Sequence, residues 1–469
     1  MLWLGFPLHS LFISTNPTTN AQMSSTAKAN GKGKSKSVAD SMPAAELVSA
    51  RPLPLADEYF ATLCAGKHVQ VRVEDARKGR GLFATQAFKK GDIVFTEAPL
   101  VCAQFLWNEA YGYKACHQCM RSLESPGEMA ARLATAPTTV VAAGSAVAKP
   151  RTPFELPFMD QCNLTIATQQ DIVTCETCSL VFCNAACRDA AMESHHRILC
   201  TRNDADHPLQ LLQSAWKSIH YPPETTSIML LARIIAMLRQ GLDKNSKDAF
   251  TAFQQFYRCY ADAEGHFIHK FLDKKYDKQL AFIQELFKTA LYDDRIPELF
   301  TTHGFRSLLA LVGMNGQGVG TTALDMYLVA VERLNLSESD AKTRDQFVEK
   351  LLDDIDEHSG EFDACEGSAL YCLQSCCNHN CQPNAVPTFT ENNATLHMRA
   401  ERDISAGDEI CISYLTPEQR HMRRSRRMAT LRENYLFMCA CAKCEVQKAE
   451  LDISSESSDD SESESAECC

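Results

Sequence analysis

The chain has 469 residues, of which 45% are hydrophobic and 23% charged, and these values are typical of a globular protein rather than a fibrous or disordered one. The length suggests about three domains. The net charge is −12, but the last 20 residues hold eight acids and no base, so the rest of the chain stands at −4. Such a balance gives no global positive field and disfavours a pure nucleic-acid-binding protein.

The first 66 residues are predicted to be a disordered leader. Residues 1–14 are apolar, but they are too short to span a bilayer and no basic residue precedes them, so we expect neither a membrane span nor a signal peptide. Residues 15–50 are rich in Ser, Thr, Ala and Lys, a composition typical of disorder. We therefore expect a soluble intracellular protein whose ordered part begins near Lys67.

Short strands and helices alternate along the rest of the chain. Residues 67–115 alternate apolar and polar side chains with glycine punctuation, which predicts short strands joined by tight turns. Two stretches, 230–238 and 280–291, repeat apolar residues at helical spacing and predict helices. Short strands return over residues 367–415.

A basic helix is predicted at 420–432, ahead of an acidic tail that is rich in serine. The helix contains six arginines, which could contact phosphates or an acidic partner, although a solvated helix face is the alternative. Seven serines are interleaved with acids in the tail, a pattern that suits phosphorylation. The tail could bind basic protein surfaces, and a solubilising segment is the alternative.

Cysteine spacing is the strongest signal. Residues 116–200 contain four pairs of ligand-type side chains with two or three residues between partners, enough for two tetrahedral zinc ions. Interleaving the pairs predicts two groups of four. They are Cys116, Cys119, Cys183 and Cys187, and then Cys175, Cys178, His196 and Cys200. His195 competes with His196, which has the better helical i, i+4 spacing to Cys200. Eight buried side chains without a metal are the disfavoured alternative.

A second cysteine cluster supplies three ligands, Cys439, Cys441 and Cys444, whereas a closed structural zinc site needs four. Cys381, in the segment NHNCQPN, is the predicted fourth ligand. The sequence therefore predicts three zinc ions. The long segment 120–174 separates the first pair from the second, and its Ala/Thr/Pro-rich piece is predicted to be a mobile insertion.

Three segments together resemble the SET domain of protein-lysine methyltransferases. They are KGRGLFAT (Lys78–Thr85), NHNCQPN (Asn378–Asn384) and EICISY (Glu409–Tyr414). The eight-ligand cluster is similar to a MYND zinc module, and the later cluster is similar to a post-SET zinc loop. The ordered set resembles the SET-and-MYND family over residues 67–446. This resemblance implies an α+β fold with a pseudoknot-like SET β-core of short strands, an inserted MYND module, a helical SET insertion and a post-SET zinc loop.

The resemblance also implies the boundaries of the parts. They are the leader (1–66), the N-terminal part of the SET domain (67–115), the MYND module (116–200) with its insertion (120–174), the helical SET insertion (201–300), the core SET region (301–418), the post-SET zinc region (419–446) and the acidic Ser-rich tail (447–469). Other members of the family usually continue into a helical repeat domain, whereas 25 residues follow Cys444 here.

Members of the family bind S-adenosylmethionine, and the resemblance implies which residues hold it. They are Lys78, Gly79, Gly81, Asn315, Asn378, His379, Tyr414 and Phe437. Tyr414 and Tyr435 match the tyrosines of the lysine channel and are the predicted catalytic residues. Glu97 and Gln317 are placed near the same pocket. Taken alone, Tyr414 or Phe437 could instead be a core residue and His379 a packed histidine.

The resemblance implies a protein-lysine N-methyltransferase that trimethylates basic substrates such as histone tails and a ribosomal protein. An apolar channel lined by tyrosines lowers the pKa of the substrate lysine by desolvation, which favours the neutral amine that methyl transfer needs. The MYND module implies chromatin, co-repressor or proline-rich partners, and a non-catalytic zinc adapter for such partners is the alternative. We expect a monomer that occurs in the cytoplasm and the nucleus.

Overall fold

The structure is a computed structural model, and it describes residues 57–75, 78–109, 111–135, 152–164, 170–219, 227–259, 276–359 and 365–451. Residues 1–56 of the predicted leader, most of the predicted mobile piece of the insertion, and the tail beyond Leu451 lie outside the described residues. Within these ranges the chain has an α+β fold of short strands and a helical region, as predicted.

The strands have two to seven residues each. In chain order they are β1 (Val69–Asp75), β2 (Gly79–Ala84), β3 (Ile93–Glu97), β4 (Val101–Gln104), β5 (Val173–Thr174), β6 (Val181–Phe182), β7 (Gln317–Thr321), β8 (Cys365–Leu370), β9 (Asn378–His379), β10 (Ala385–Thr388), β11 (Leu396–Ala400) and β12 (Glu409–Ile412). They form sheets in the orders β1-β2-β12-β9, β10-β11-β3 and β4-β8-β7, and β5 pairs with β6.

The α-helices are numbered in the same way. They are α1 (Asp57–Cys64), α2 (Pro126–Leu133), α3 (Ala185–Ala191), α4 (Arg197–Leu199), α5 (Pro208–Ile219), α6 (Ile228–Asp243), α7 (Asp248–Gln254), α8 (Asp277–Leu291), α9 (Thr302–Asn315), α10 (Ala323–Glu332), α11 (Glu338–His358), α12 (Pro417–His421), α13 (Arg424–Tyr435) and α14 (Ala442–Leu451). A π-helical turn, Met192–His196, joins α3 to α4. Among the described residues, none of the helices is long and apolar enough to cross a membrane.

The first sheet brings distant parts of the chain together. β12 pairs with β2 in antiparallel fashion, with Ile410 opposite Leu82. On its other side β12 pairs with β9 in parallel fashion, with Cys411 opposite Asn378. Because β12 lies between β2 and β9, the three segments that resemble a SET domain become neighbours.

The two helices predicted from apolar spacing are confirmed as α6 and α8, which share one apolar core with α5 and α9. The helical region does not end at residue 300, however. The range 301–418, predicted as core SET region, begins with the three helices α9, α10 and α11. In α11 the buried positions are Leu351 and Ile355, and most of the other side chains are polar, so the sequence shows little apolar periodicity and resembles a solvated segment.

The described structure begins with α1, ten residues before the predicted boundary, so the prediction of a disordered leader over 1–66 is wrong for α1. Phe60 of α1 is buried, and the guanidinium of Arg80 lies 5.2 Å from the centre of its ring. The hydroxyl of Tyr59 donates to the sulfur of Cys372 at 3.2 Å. These long-range contacts hold an eight-residue helix that is too short to be evident from its own periodicity.

The insertion 120–174 is likewise not a structureless loop throughout. Ser125 and Glu128 form a capping box at the start of α2, and Pro126 occupies its first turn. The buried Met129 and Leu133 of α2 pack in one cluster with residues of α10 and α11. The Ser-Pro-x-Glu pattern is a known signature of a helix start, so the sequence contained this signal.

The predicted basic helix at 420–432 is interrupted. α12 ends at His421, the backbone of the next residue, Met422, is extended, and α13 begins at Arg424 and continues to Tyr435. The break separates Arg420 from the other five arginines of the segment.

Candidate active site and metal centres

The structure brings the twelve predicted ligands together in the three predicted groups of four. Within each group the ligand atoms lie within 4.8 Å of one another. Sulfur–sulfur distances of 3.5 Å between Cys183 and Cys187 and 3.7 Å between Cys119 and Cys183 occur in the first group. A tetrahedral zinc ion with bonds of about 2.3 Å would place its sulfur ligands about 3.8 Å apart. The geometry and the thiol chemistry therefore fit zinc.

The second group contains His196 rather than His195. The Nε2 atom of His196 lies 3.3 Å from the sulfur of Cys178, and the sulfurs of Cys175 and Cys200 are 4.0 Å apart. His195 is also buried, but its Nδ1 atom lies 2.8 Å from the hydroxyl of Ser194. Both histidines belong to the π-helical turn, in which one extra residue per turn changes which side chains point inward.

The third group joins Cys381 to the later cluster, as predicted. It lies beside a buried arginine that belongs to the predicted basic helix, for which a binding face and a solvated face were the two alternatives. Arg427 is fully buried. Its Nε and Nη2 atoms donate to the sulfurs of Cys381 and Cys444 at 3.3 and 3.2 Å. A zinc ion with four thiolates carries a net charge of −2, which a buried guanidinium partly balances. The helical spacing could have indicated that Arg427 faces inward, because Leu431, four residues further on, belongs to the same buried cluster.

The predicted cofactor residues of three segments meet at one place, which we call the pocket. Gly79 has a positive φ of +74°, which favours glycine. A Cβ atom on Gly81 would lie 2.9 Å from a carboxylate oxygen of Glu409. The turn that carries Lys78 can therefore approach β12 and β9 only because glycine stands at these positions.

Glu409 connects two of the predicted cofactor residues, and the sequence reading did not single out its side chain. One carboxylate oxygen accepts from the Nζ atom of Lys78 at 2.7 Å, and the other accepts from the amide of Asn378 at 2.8 Å. The bond to Glu409 raises the pKa of Lys78. The half-exposed ammonium is thus held charged at the edge of the pocket, where it can also meet an anionic group of a ligand.

His379 links the pocket to the third metal group. Its Nδ1 atom accepts from the backbone N–H of Tyr414 at 3.0 Å, so the ring proton is on Nε2. Nε2 lies 3.4 Å from the sulfur of Cys381. The ring is therefore fixed between a predicted metal ligand and a predicted catalytic residue.

Four aromatic rings complete the pocket. The rings of Tyr414 and Tyr435 are 4.7 Å apart, and those of His379 and Phe437 are 6.1 Å apart. The hydroxyl of Tyr414 donates to the carbonyl of Cys377 at 2.8 Å. Burial, followed by the neighbouring Tyr435, raises the pKa of Tyr414, and burial raises the pKa of Tyr435 to about 12. Both phenols are therefore neutral hydrogen-bonding groups at physiological pH.

Asn315 lies at the C-terminal end of α9 and is not in hydrogen-bond contact with the other predicted cofactor residues. Its amide nitrogen donates to the carbonyls of Tyr257 and Leu311 at 2.6 and 2.8 Å. Its role in cofactor binding stays a prediction.

Glu97 lies elsewhere, on the wall of a cavity of about 600 Å³ between α1, the end of β3, α6 and α7. None of the predicted cofactor residues lines this cavity. The carboxylate of Glu97 accepts from the backbone N–H groups of Leu373 and Gln374 at 2.8 and 3.0 Å. Gln374 in turn donates its side-chain amide to Gln317. Both residues thus support the segment before β9, and their place near the cofactor stays a prediction.

Comparison with known proteins agrees with this geometry. The SET domain family matches residues 79–415. The protein-lysine N-trimethyltransferase SMYD5 of Gallus gallus is 44% identical over 84% of this chain and 90% of its own length. SMYD5 of Homo sapiens is 45% identical over 83% of this chain and 89% of its own length. A more distant relative, the histone-lysine N-methyltransferase ATXR2 of Arabidopsis thaliana, is 24% identical over 56% of this chain and 60% of its own length.

The fold and the pocket thus define a SET-domain protein-lysine methyltransferase. Within that class, the identity over most of both chains shows that this chain belongs to the SMYD5 family. The recognition made from five short sequence segments is confirmed at this level.

Proposed function

We propose that the chain transfers methyl groups from S-adenosylmethionine to lysine side chains of basic proteins, up to the trimethylated state. Histone tails and a ribosomal protein are the proposed substrates. The observation that carries the proposal is the convergence of Lys78, Asn378 and His379 with Tyr414 and Tyr435 around β12. Trimethylation is further supported by the SMYD5 relatives, which are named protein-lysine N-trimethyltransferases.

The charged and polar groups around the pocket support this choice of cofactor. Lys78 would hold the carboxylate, Asn378 and His379 the amino and adenine ends, and Phe437 would pack on the adenine. When bound, the cofactor supplies an electrophilic methyl group.

The two tyrosines would prepare the substrate amine. Their rings form an apolar wall that disfavours the ammonium form of lysine, and their neutral hydroxyls can orient the free amine. The hydrogen bond to Cys377 fixes the hydroxyl of Tyr414 in advance, so little reorganisation is needed. No side chain has to act as a general base if water accepts the proton before transfer.

We further propose that the three cysteine groups bind three zinc ions, the first two in a MYND module and the third in a post-SET loop of a pseudoknot-like SET core. The MYND module would contact chromatin or co-repressor partners, and the protein would act as a monomer in the cytoplasm and the nucleus. The fit of the sulfur geometry to zinc supports the metal assignment.

The deciding experiment is calorimetric titration of zinc-replete protein with S-adenosylmethionine, combined with transfer of a labelled methyl group to histones and ribosomal proteins. Asn378→Ala should abolish measurable binding, whereas Asn335→Ala, at an exposed position, should leave it unchanged. A folded protein with three zinc ions that binds no cofactor would contradict the proposal and favour the zinc adapter.

A further inference from the structure

Four arginines lie close together in the chain, at the end of α12, in the turn that follows it and in the first turn of α13. We call the side chains of Arg420, Arg423, Arg424 and Arg426 the arginine surface. Arg423 and Arg426 are exposed, and the other two are half-buried. Arg420 has an acidic neighbour, Glu401, at 3.6 Å. Across the described ranges of the chain, neither Arg423 nor Arg426 has an ion-pair partner. The guanidinium groups of Arg423 and Arg426 are therefore able to bind anions.

The last described helix, α14, lies next to this surface. The Nζ atom of Lys443, in α14, donates to the carbonyl of Arg420 at 2.8 Å, and the guanidinium of Arg424 donates to the carbonyl of Cys444 at 3.0 Å. Leu451 ends α14 about 10 Å further along the helix axis. Eighteen residues follow it, and an extended segment of that length spans up to about 60 Å, so all of its side chains can reach the arginine surface.

The composition of residues 452–469 is complementary to that surface. The segment holds seven acidic side chains, seven serines and no basic side chain. Because the segment is covalently attached, its effective concentration near the arginines is in the millimolar range, far above that of most free polyanions. The negative charge, the length and the covalent attachment of residues 452–469 thus all favour this segment as the occupant of the arginine surface.

We propose that residues 452–469 dock on the arginine surface of their own chain and keep other polyanions away from it. Each contact is an exposed ion pair and individually weak, so docking depends on many contacts and weakens with salt. Phosphorylation of the serines adds further negative charge and strengthens docking. The inference rests on charge and position, and it is independent of the proposed methyl transfer.

The test compares full-length, zinc-replete proteins by their affinity for a fluorescent heparin oligosaccharide at one salt concentration. In the tail variant, all seven acids of residues 452–469 are changed to Asn or Gln. The matched control has the same net charge, because seven exposed acids of α11 are changed instead. These are Glu338, Asp340, Asp345, Glu349, Asp353, Asp356 and Glu357.

The tail variant should bind the probe about tenfold more tightly than the control, because it exposes the arginine surface. Adding Arg423→Gln and Arg426→Gln to the tail variant should remove that gain, whereas the same changes in the native chain should alter the affinity less than about twofold. Equal affinities of the tail variant and the control would overturn the proposal, because net charge alone would then explain the gain. A gain that survives the arginine changes would also overturn it.

Discussion

A buried arginine stands beside each cysteine-rich region, and the two arginines contact different kinds of atom. Arg233, in α6, donates to the backbone carbonyls of Cys102 and His117. Arg427, in α13, donates to ligand sulfurs of the third metal group. The first arginine ties its cysteine region to the helical core, whereas the second enters the charge balance of the metal group itself. Cysteine groups of similar composition are thus linked to the rest of the protein by two different kinds of arginine contact.

The difference extends to the pocket. His379 contacts Cys381 of the third group with one ring nitrogen and the backbone of Tyr414 with the other. In the part of the chain that the structure describes, no ligand of the first two groups is hydrogen-bonded to a predicted cofactor residue. We infer that the first two groups stabilise a module, whereas the third also positions the reacting site.

The largest expected effect comes from removing one ligand of the third metal group, compared with removing one ligand of the second. Cys444→Ser should lower zinc content by one ion and abolish measurable binding of S-adenosylmethionine, because His379 and the segment around Tyr435 lose their anchor. Cys178→Ser should also remove one ion, but the cofactor affinity should fall less than about threefold. Metal analysis and calorimetry on the same samples measure both quantities.

Circular dichroism should accompany these titrations, so that only folded variants are compared. If the two substitutions weaken cofactor binding equally in folded protein, the distinction between the two regions is wrong.

The next effect concerns catalysis alone. Tyr414→Phe removes a hydroxyl that is fixed by Cys377, and kcat should fall about 100-fold, the range found when one preorganised hydrogen-bonding group is lost. Cofactor affinity should stay within about twofold, since the ring remains. Tyr292→Phe, at an exposed position, is the control and should leave kcat unchanged. A native kcat in the Tyr414 variant would exclude a catalytic role for this hydroxyl.

Arg427 gives a smaller and more specific test. Arg427→Met keeps much of the buried volume but removes both donors to sulfur, so the third zinc ion should bind about tenfold to 100-fold more weakly. Competition with a chelator measures this affinity. The neighbouring exposed Arg426→Met should leave it unchanged. Equal zinc affinity in the two variants would show that the buried guanidinium does not balance the thiolates.

The metal groups could be predicted from the sequence because their ligands recur at short spacings that one turn imposes. Even Cys381, more than 50 residues from its partners, followed from counting ligands against the four that a closed site needs. The helices α6 and α8 were predictable for a similar reason, since each presents its own apolar stripe.

The contacts that support these groups could not be predicted, because they depend on tertiary packing. Arg427 is one of six arginines in a basic segment. Its i, i+4 spacing to Leu431 indicates the buried side of the helix, but the partners of its guanidinium are seen only once α14 is docked. Glu409 belongs to a recognised segment, but its two partners come from β2 and β9 and meet it only through sheet pairing. α1 is ordered by contacts with Arg80 and Cys372, which its own eight residues do not encode.

The smallest expected effect comes from a substitution of Glu409. Among the described residues, its side chain is hydrogen-bonded to Lys78 and Asn378 and not to a ligand of a metal group. Glu409→Gln keeps the shape of the side chain but replaces the ion pair with Lys78 by a hydrogen bond to an uncharged amide, so cofactor affinity should fall about tenfold. Zinc affinity should not change, in contrast to Arg427→Met. Glu285→Gln, at an exposed position of α8, is the control.

The pH dependence separates this role from a general loss of structure. Glu409 raises the pKa of Lys78, so the ammonium that would hold the cofactor's carboxylate stays charged to a higher pH in the native chain. In Glu409→Gln that pKa returns toward its ordinary value, and the loss of cofactor affinity with rising pH should begin at a lower pH. A parallel pH profile in the two proteins would mean that Glu409 shapes the pocket without controlling the charge of Lys78.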